Sequence, residues 1–337
     1  MRVIALIVLL ISCSFGNAES RYIFDVELLN DQLRDLPMGK QLSGSTLSID
    51  YGVEWHLDED GGSLLTIGVR SAISSESRGN EAVFREKEST SGSELSLFSF
   101  QKRFGDYHHF SVGRNAFAGH LPSFVIDEDL PLDFISYRYE SSYSDEGMSF
   151  YLGNHAVSDP YNSDIRFSSL GLEFMFLGYS SESHLRFFAL EYENLDRIDR
   201  VQNQNQVIAE NDEYLAYGVE YGYMKLMDGS IVDFYAAMLK NQSVSDNNRA
   251  FRIELSILPM EWEQKFGVAY QRIERDAVVG ALNDDNWWFA SNVKGFSVFY
   301  NMEIAEDFSF SAQYLDENLI GTDVNTQRLQ TRLNYSF

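Results

Sequence analysis

What this chain lacks narrows its class first. It has one cysteine, Cys13, in 337 residues, which excludes a disulfide framework and a thiolate metal site. Its six histidines are scattered without a metal-type spacing such as H-x-x-x-H. Basic residues are scarce, 26 against 51 acidic ones for a net charge of −25, which argues against nucleic acid as a partner. Acidity of this degree can signal disorder, but 14% aromatic residues speak against that. Prolines number only 5 beside 23 glycines, a profile that suits an exported, aromatic-rich all-β protein. Beyond the N-terminus no stretch approaches the roughly 20 apolar residues of a spanning helix. Any insertion into a membrane must therefore use strands.

The N-terminus reads as an export signal. Met1-Arg2, the apolar run Val3–Ile11 and the small-residue site Gly16-Asn17-Ala18 predict cleavage between Ala18 and Glu19. A buried N-terminal helix, or a lipoprotein signal at Leu10-Ile11-Ser12-Cys13, are the alternatives. Cleavage at Ala18 removes Cys13 and Arg2, leaving 25 basic and 51 acidic residues and a net charge of 25 − 51 = −26. The expected organisation is a signal peptide over 1–18 and one β-barrel over 19–337.

From Ser45 onward the chain has period two. In STLSIDYGVEWHL, Leu47, Ile49, Tyr51, Val53 and Trp55 alternate with Asp50, Glu54 and His56, and Asp58-Glu59-Asp60-Gly61-Gly62 turns into SLLTIGVRSAI. Strand pairs of this kind recur, joined by short turns at Gly105–His108, Ser144–Gly147, Gly178–Ser183, Met227–Ser230, Pro259–Glu263 and Ile304–Asp307. Longer connections separate the pairs: Ser74–Ser93, Asn115–Pro131, Ala156–Ile165, Leu195–Asp212, Ser243–Asn248, Asp276–Phe289 and Asp316–Asn325. Short turns at one end and long loops at the other predict a transmembrane antiparallel up-and-down β-barrel, its turns periplasmic and its loops extracellular. A secreted sandwich or propeller would carry loops of similar length at both ends. Fifteen strands run from Ser45 to Phe337. Single-chain bacterial barrels have even counts, so Arg21–Leu29 supplies a sixteenth if it is a strand. Val26, Leu29, Leu33 and Leu36 also allow a short amphipathic helix there.

The two faces differ in chemistry. One collects aromatic and aliphatic residues such as Phe251, Ile253, Leu255, Ile257, Phe296, Val298 and Tyr300; the other collects Arg70, Arg138, Glu140, Glu173, Glu220, Arg252, Glu254, Lys265, Gln271, Arg328 and Arg332. Unpaired ions in a dry core cost several kcal/mol each, so the charged face should line water. A barrel of about 16–18 strands leaves an aqueous channel. Arg70, Arg138, Glu140, Arg252, Arg328 and Arg332 are the candidate pore-wall residues. The loop Asn115–Pro131 carries Asp127, Glu128 and Asp129. It either folds into the lumen, where these acids face wall bases across a constriction, or lies on the cell surface as a solvated acidic loop.

Val112-Gly113-Arg114-Asn115-Ala116-Phe117, with Val125-Ile126-Asp127-Glu128-Asp129-Leu130 and Asp133, resembles the GR-x-NPF … D-x-DL-x-FDG stretch of a family of Gram-negative porins. Asn286-Trp287-Trp288-Phe289-Ala290-Ser291-Asn292, Gly295 and the terminal strand Asn325–Phe337 are similar to that family as well. Ala116 stands where the family tends to have Pro, and no Gly follows Asp133. The resemblance covers the chain from Ser45 and implies a water-filled outer-membrane channel. Tyr107-His108-His109-Phe110-Ser111-Val112-Gly113 is similar to the motif of outer-membrane phospholipase A, but Phe110 and Val112 take the lipid-facing positions, which turns His109 and Ser111 to the lumen.

The expected function is a porin for small hydrophilic solutes, cation-preferring because of its acidity, with no catalytic residues, metal or cofactor. The loop carboxylates Asp58, Glu59, Asp60, Asp284 and Asp285 are candidates for Ca²⁺ or Mg²⁺, though such acids are mostly just solvated. A substrate-specific channel, for example for sugars, and a non-conducting structural barrel are the competing readings. Expected partners are outer-membrane lipids and lipopolysaccharide, the solutes, a homotrimer as one possible assembly, and the assembly machinery, which would read the terminal aromatic Phe337.

Overall fold

Asp228 and Gly229 are both left-handed, at φ of 45° and 81°, and Met227 pairs directly with Ser230 across them. This two-residue hairpin needs positive φ at both central positions, which Asp-Gly supplies, and its twist matches that of the strands it joins. The computed structural model describes residues 19–36, 40–58, 62–76, 92–116, 121–126, 130–143, 146–157, 165–195, 214–261, 264–280, 282–283, 287 and 289–336. Residues 1–18, where the export signal is read, and Phe337 lie outside them.

Sixteen strands follow in order: β1 (Glu19–Leu36), β2 (Lys40–His56), β3 (Ser63–Glu76), β4 (Gly92–Phe104), β5 (His108–Ala116), β6 (Pro131–Tyr143), β7 (Glu146–Val157) and β8 (Ile165–Leu177). The second half comprises β9 (Ser181–Glu193), β10 (Tyr214–Met227), β11 (Ser230–Asn241), β12 (Arg249–Pro259), β13 (Gln264–Ile273), β14 (Val293–Ala305), β15 (Phe308–Leu319) and β16 (Asn325–Ser336). Each pairs antiparallel with its sequence neighbours, and β1 with β16 closes the barrel. Closure satisfies every strand edge, which is what allows strands to stand in lipid. Among the described residues no helix is long and apolar enough to cross a membrane.

The segment Arg21–Leu29, open between strand and helix in the sequence, lies in a strand of 18 residues. It is in register with both neighbours: Val26 opposes Tyr335 on β16 and Ile49 on β2. The helical spacing of Val26, Leu29 and Leu33 is coincidental, since Val26 shares the alternation of the exposed Phe24 and Leu28 while Leu33 is buried on the other face. Arg328 seals the seam through Asp31, its Nε and Nη2 reaching the carboxylate at 3.0 and 2.5 Å.

The outer face is apolar and exposed, as alternation predicts: Ile253, Leu255, Ile257, Phe266, Val268, Tyr270, Phe296 and Val298 all show large open area. At the turn end Tyr107, His108, Tyr137 and Tyr139 cluster, with the His108 ring 5.3 Å from Tyr139 and Nδ1 2.7 Å from the Tyr137 hydroxyl. Such polar-tipped aromatics suit a membrane interface.

The β2–β3 turn is pinned by Asp58, whose carboxylate accepts from Lys102 Nζ at 2.8 Å and Ser63 Oγ at 2.7 Å. The Lys102 ammonium first, then the Ser63 hydroxyl, hold its carboxyl well below the usual range, against a smaller opposing desolvation. A depressed folded pKa stabilises above the unfolded value near 4 and is lost as pH falls through the folded value. The unfolding midpoint of Asp58→Asn should therefore lie below that of the native barrel at pH 7 and converge with it in strong acid. Equal differences at both pH values would contradict the assignment.

Candidate pore constriction

Alternation carries a line of charged groups from β8 to β13 onto the inner wall. Arg186 on β9 reaches both neighbours: Nη2 bonds Glu173 on β8 at 3.2 Å and Nη1 bonds Glu220 on β10 at 2.9 Å. Ser149 donates to the other oxygen of Glu173, and the Tyr235 hydroxyl to the other oxygen of Glu220. His184 lies 3.4 Å from Glu220, and Gly222 makes room for it, because a Cβ there would fall 2.0 Å from the imidazole Cε1. Further along, Arg252 pairs with Glu254 at 3.1 Å and Lys265 with Asp233 at 3.0 Å. Glu220 is 5% exposed and Arg186 17%, so this node is largely desolvated and its charges depend on one another.

The loop between β5 and β6 meets this wall. Pro122 O accepts the Val125 N–H at 2.9 Å in a tight turn that puts Leu121, Phe124, Val125 and Ile126 into one buried cluster. Their partners include the inward Phe167, Phe188, Leu190, Tyr192, Tyr214 and Leu239 near the loop-bearing strand ends, together with Ala277, Val278, Val279, Leu282 and Phe289 from the loop between β13 and β14. That second loop is stitched down by Tyr214 Oη to Ala277 O at 2.7 Å, Asn241 Nδ2 to Asp276 O at 2.8 Å, and its own Phe289 N–H to Glu317 Oε2 at 3.0 Å. Beneath the packed loops Arg252 Nη1 reaches Ser123 Oγ at 3.4 Å. A cavity of about 530 Å³ opens there, with Ser123, His184, Arg186, Glu220, Tyr235 and Arg252 in its lining. The loop of the acidic triplet thus enters the lumen through its apolar residues 121–126; Asp127, Glu128 and Asp129 themselves lie outside the described residues.

The expected wall residues are placed as follows. Arg70 meets Asp50 at 3.1 Å, Arg138 meets Glu140, Arg332 meets Glu27 at 3.1 Å, and Arg328 holds Asp31. Each of these arginines is engaged by a carboxylate of the wall itself. Glu140 additionally faces His109 at 3.5 Å. Arg252 is the base that touches the inward loop. Sequence reading missed Arg186 as the centre of the network, His184 and Tyr235 beside it, and the second inward loop. Ser111 stands opposite Ser136 and Gln101 while Val112 is exposed on the outer face, so the phospholipase-like stretch presents neither His109 nor Ser111 to lipid. Among the described residues no group of three or more His, Cys, Asp or Glu forms a metal site. Of the loop carboxylates considered for divalent cations, Asp58 is held by Lys102, and Glu59, Asp60, Asp284 and Asp285 lie outside the described residues.

A closed barrel of sixteen antiparallel strands with an apolar exterior, a charged inner wall and a loop folded inward is the fold of the Gram-negative outer-membrane porins. No protein-family model matches the chain, and no curated protein sequence matches it. Solved structures do. The chain is similar to Pseudomonas putida OprB in its high-pH structure, with a TM-score of 0.66, 8% identity and 94% of both chains covered. It is similar to Salmonella typhi OmpF in a complex with daunomycin, with a TM-score of 0.59, 10% identity and coverage of 96% of this chain and 99% of that one. OmpT, an outer-membrane protein of Vibrio cholerae in a trimer form, follows at a TM-score of 0.52 and 10% identity, with 94% and 99% covered.

Proposed function

We propose that this chain is an outer-membrane porin that passes small hydrophilic solutes through a water-filled lumen. The observation that carries the reading is the polarity of the wall: ion pairs line the inside, half-exposed at most positions, while the outside is apolar. A soluble barrel would have no use for that inversion, because lipid is the solvent that rewards an apolar exterior. Around the cavity Glu182, Glu220, Asp233 and Glu254 oppose Arg186, Arg252 and Lys265, four carboxylates to three permanent cations. That balance supports a cation preference, since charge at the narrow point outweighs distant surface charge screened within about 10 Å. Asp127, Glu128 and Asp129 follow in the sequence of the same loop and belong to this proposal as its acidic residues.

Single-channel recording of the refolded barrel under a salt gradient tests both parts. The expected result is a conducting pore with a cation-selective reversal potential; an anion-selective potential would sink the preference. A non-conducting structural barrel is the second reading, favoured by the apolar cluster that the two loops form at one end of the lumen, and absence of conductance would establish it. The trimer form of the Vibrio protein supports the same assembly for this chain, read by native mass in detergent.

Phe337 is proposed as the assembly signal. Leu329 and Tyr335, which share its parity on β16, are exposed on the outer face, and that alternation supports the reading. Deleting Phe337 should lower the amount of folded barrel recovered from outer membranes; undiminished insertion would count against it.

A further inference from the structure

The outer wall carries a charged feature that the pore does not use. At the loop-bearing end, Lys240 is the penultimate residue of β11, Arg249 the first of β12, Arg272 the penultimate of β13 and Lys294 the second of β14. Lys240 opposes Arg249 directly, and Arg272 opposes Lys294. Phe251, two residues below Arg249, opposes Arg272 and ties the two pairs into one patch. All four share the alternation of Met238, Phe251, Tyr270 and Phe296, the outward face. Lys240, Arg249 and Lys294 are exposed, and none has an ion-pair partner among the described residues. Arg272 reaches Glu274 at 3.3 Å, and the other oxygen of Glu274 accepts the Arg249 amide N–H at 3.1 Å. The four bases therefore share one carboxylate, Glu274; the neighbouring Asp316, opposite Phe296, takes its bonds from the neutral Asn318 and Asn325.

Two other outward bases of this rim face acids. Arg114 holds Asp133 through two bonds of 2.7 and 2.9 Å, and Arg166 stands opposite Glu193. Like charges directly opposite one another weaken a sheet. Two such pairs side by side, in a chain of 51 acidic and 26 basic residues, are a cost that the fold itself does not relieve. An external anion does. Immediately below the patch the wall turns apolar, so the ligand must present negative charge at the rim and hydrocarbon beneath it.

We propose that Lys240, Arg249, Arg272 and Lys294 form a binding site for the phosphate groups of an anionic lipid of the outer leaflet. The guanidinium forks of Arg249 and Arg272 suit phosphate oxygens in bidentate geometry, and the two lysines add point charge on either side. Met238, Phe251, Tyr270 and Phe296 receive the acyl chains. The site rests on the reading of this chain as a membrane barrel, but not on its conducting.

Native mass spectrometry of the full refolded chain in detergent tests it, with bisphosphorylated lipid A, the same lipid stripped of phosphate, and sodium phosphate as separate probes. The bisphosphorylated lipid should be retained, the stripped lipid should not, and sodium phosphate should fail to displace it at equal concentration. The quadruple variant Lys240→Gln, Arg249→Gln, Arg272→Gln, Lys294→Gln should lose retention about tenfold or more. Arg166→Gln should retain the lipid as the native chain does. If the quadruple variant does not fold, as read by its gel mobility before and after heating, the pairs Lys240→Gln with Arg249→Gln and Arg272→Gln with Lys294→Gln should each show a partial loss. Equal retention by folded variants, or by the stripped lipid, overturns the site; displacement by sodium phosphate overturns the lipid as its ligand. The pore reading is scored separately: the quadruple variant should conduct in a neutral bilayer as the native chain does, and a native chain that retains lipid without conducting leaves this site standing while the pore falls.

Discussion

Arg186→Ala should destabilise the barrel more than any other single change on its wall, by about 3–5 kcal/mol, because it strands two carboxylates in a largely desolvated place. Among the described residues Arg186 is the one cation shared by Glu173 and Glu220, and Glu220 is 5% exposed. The Tyr235 hydroxyl and Ser149 remain as donors after the change, but neither carries charge. The same substitution removes a positive charge from the lining of the cavity, so the reversal potential should move toward stronger cation preference. Arg186→Lys should fall between the two, since an ammonium on a flexible stem cannot reproduce a planar fork spanning neighbours on two strands. Urea unfolding of the refolded barrel reads the first effect and a salt-gradient reversal potential the second. If Arg186→Ala leaves both unchanged, the node is an ordinary surface pair and the desolvation argument fails. Arg186→Met combined with Glu173→Gln and Glu220→Gln should recover most of the stability, because no ion is then left unpaired.

This node also marks where the sequence stops being readable. The barrel was legible because lipid and lumen impose opposite solvents on alternate residues, so strands such as Arg249–Pro259 show Phe251, Ile253, Leu255 and Ile257 against Arg252 and Glu254 without ambiguity. Turn chemistry was legible for the same local reason, as at Asp228-Gly229. The first strand was not, because Val26, Leu29, Leu33 and Leu36 fit a helical spacing while Phe24, Val26 and Leu28 fit alternation; only the partner strands on both sides, with Val26 between Tyr335 and Ile49, decide it. Arg252 could be assigned to the wall from alternation alone. Arg186 could not be singled out, because in Ser181–Glu193 the inner face beyond it turns apolar: Phe188, Leu190 and Tyr192 point in while Phe187 and Ala189 point out. The inward apolar set is explained only by the two loops that cover it, through residues 121–126 and through Ala277, Val278, Val279, Leu282 and Phe289, and such long-range contacts leave no local period. Arg70 and Arg332 show a related limit. Their role depends on which carboxylate lies across the sheet, and register places Asp50 opposite Arg70.

Phe124→Ala should loosen the constriction without loosening the barrel. Phe124 is 1% exposed at the centre of the cluster formed by the two inward loops and the wall, and truncating a buried phenylalanine costs about 3–5 kcal/mol of packing. That packing holds residues 121–126 against the lumen. The sixteen-strand ladder closes without it, since Phe124 belongs to no strand. The unfolding midpoint of the barrel should therefore shift far less than the lost packing implies, while single-channel current should rise and become noisier as the loop leaves the wall. The contact of Arg252 with Ser123 should go with it, so Arg252→Gln added to Phe124→Ala should have less effect on current noise than Arg252→Gln alone. A current unchanged by Phe124→Ala would mean that the packed loops do not bound the conducting path. A loss of folded barrel instead would mean that loop packing and strand closure form one cooperative unit, and that the apolar cluster is part of what the barrel needs to close.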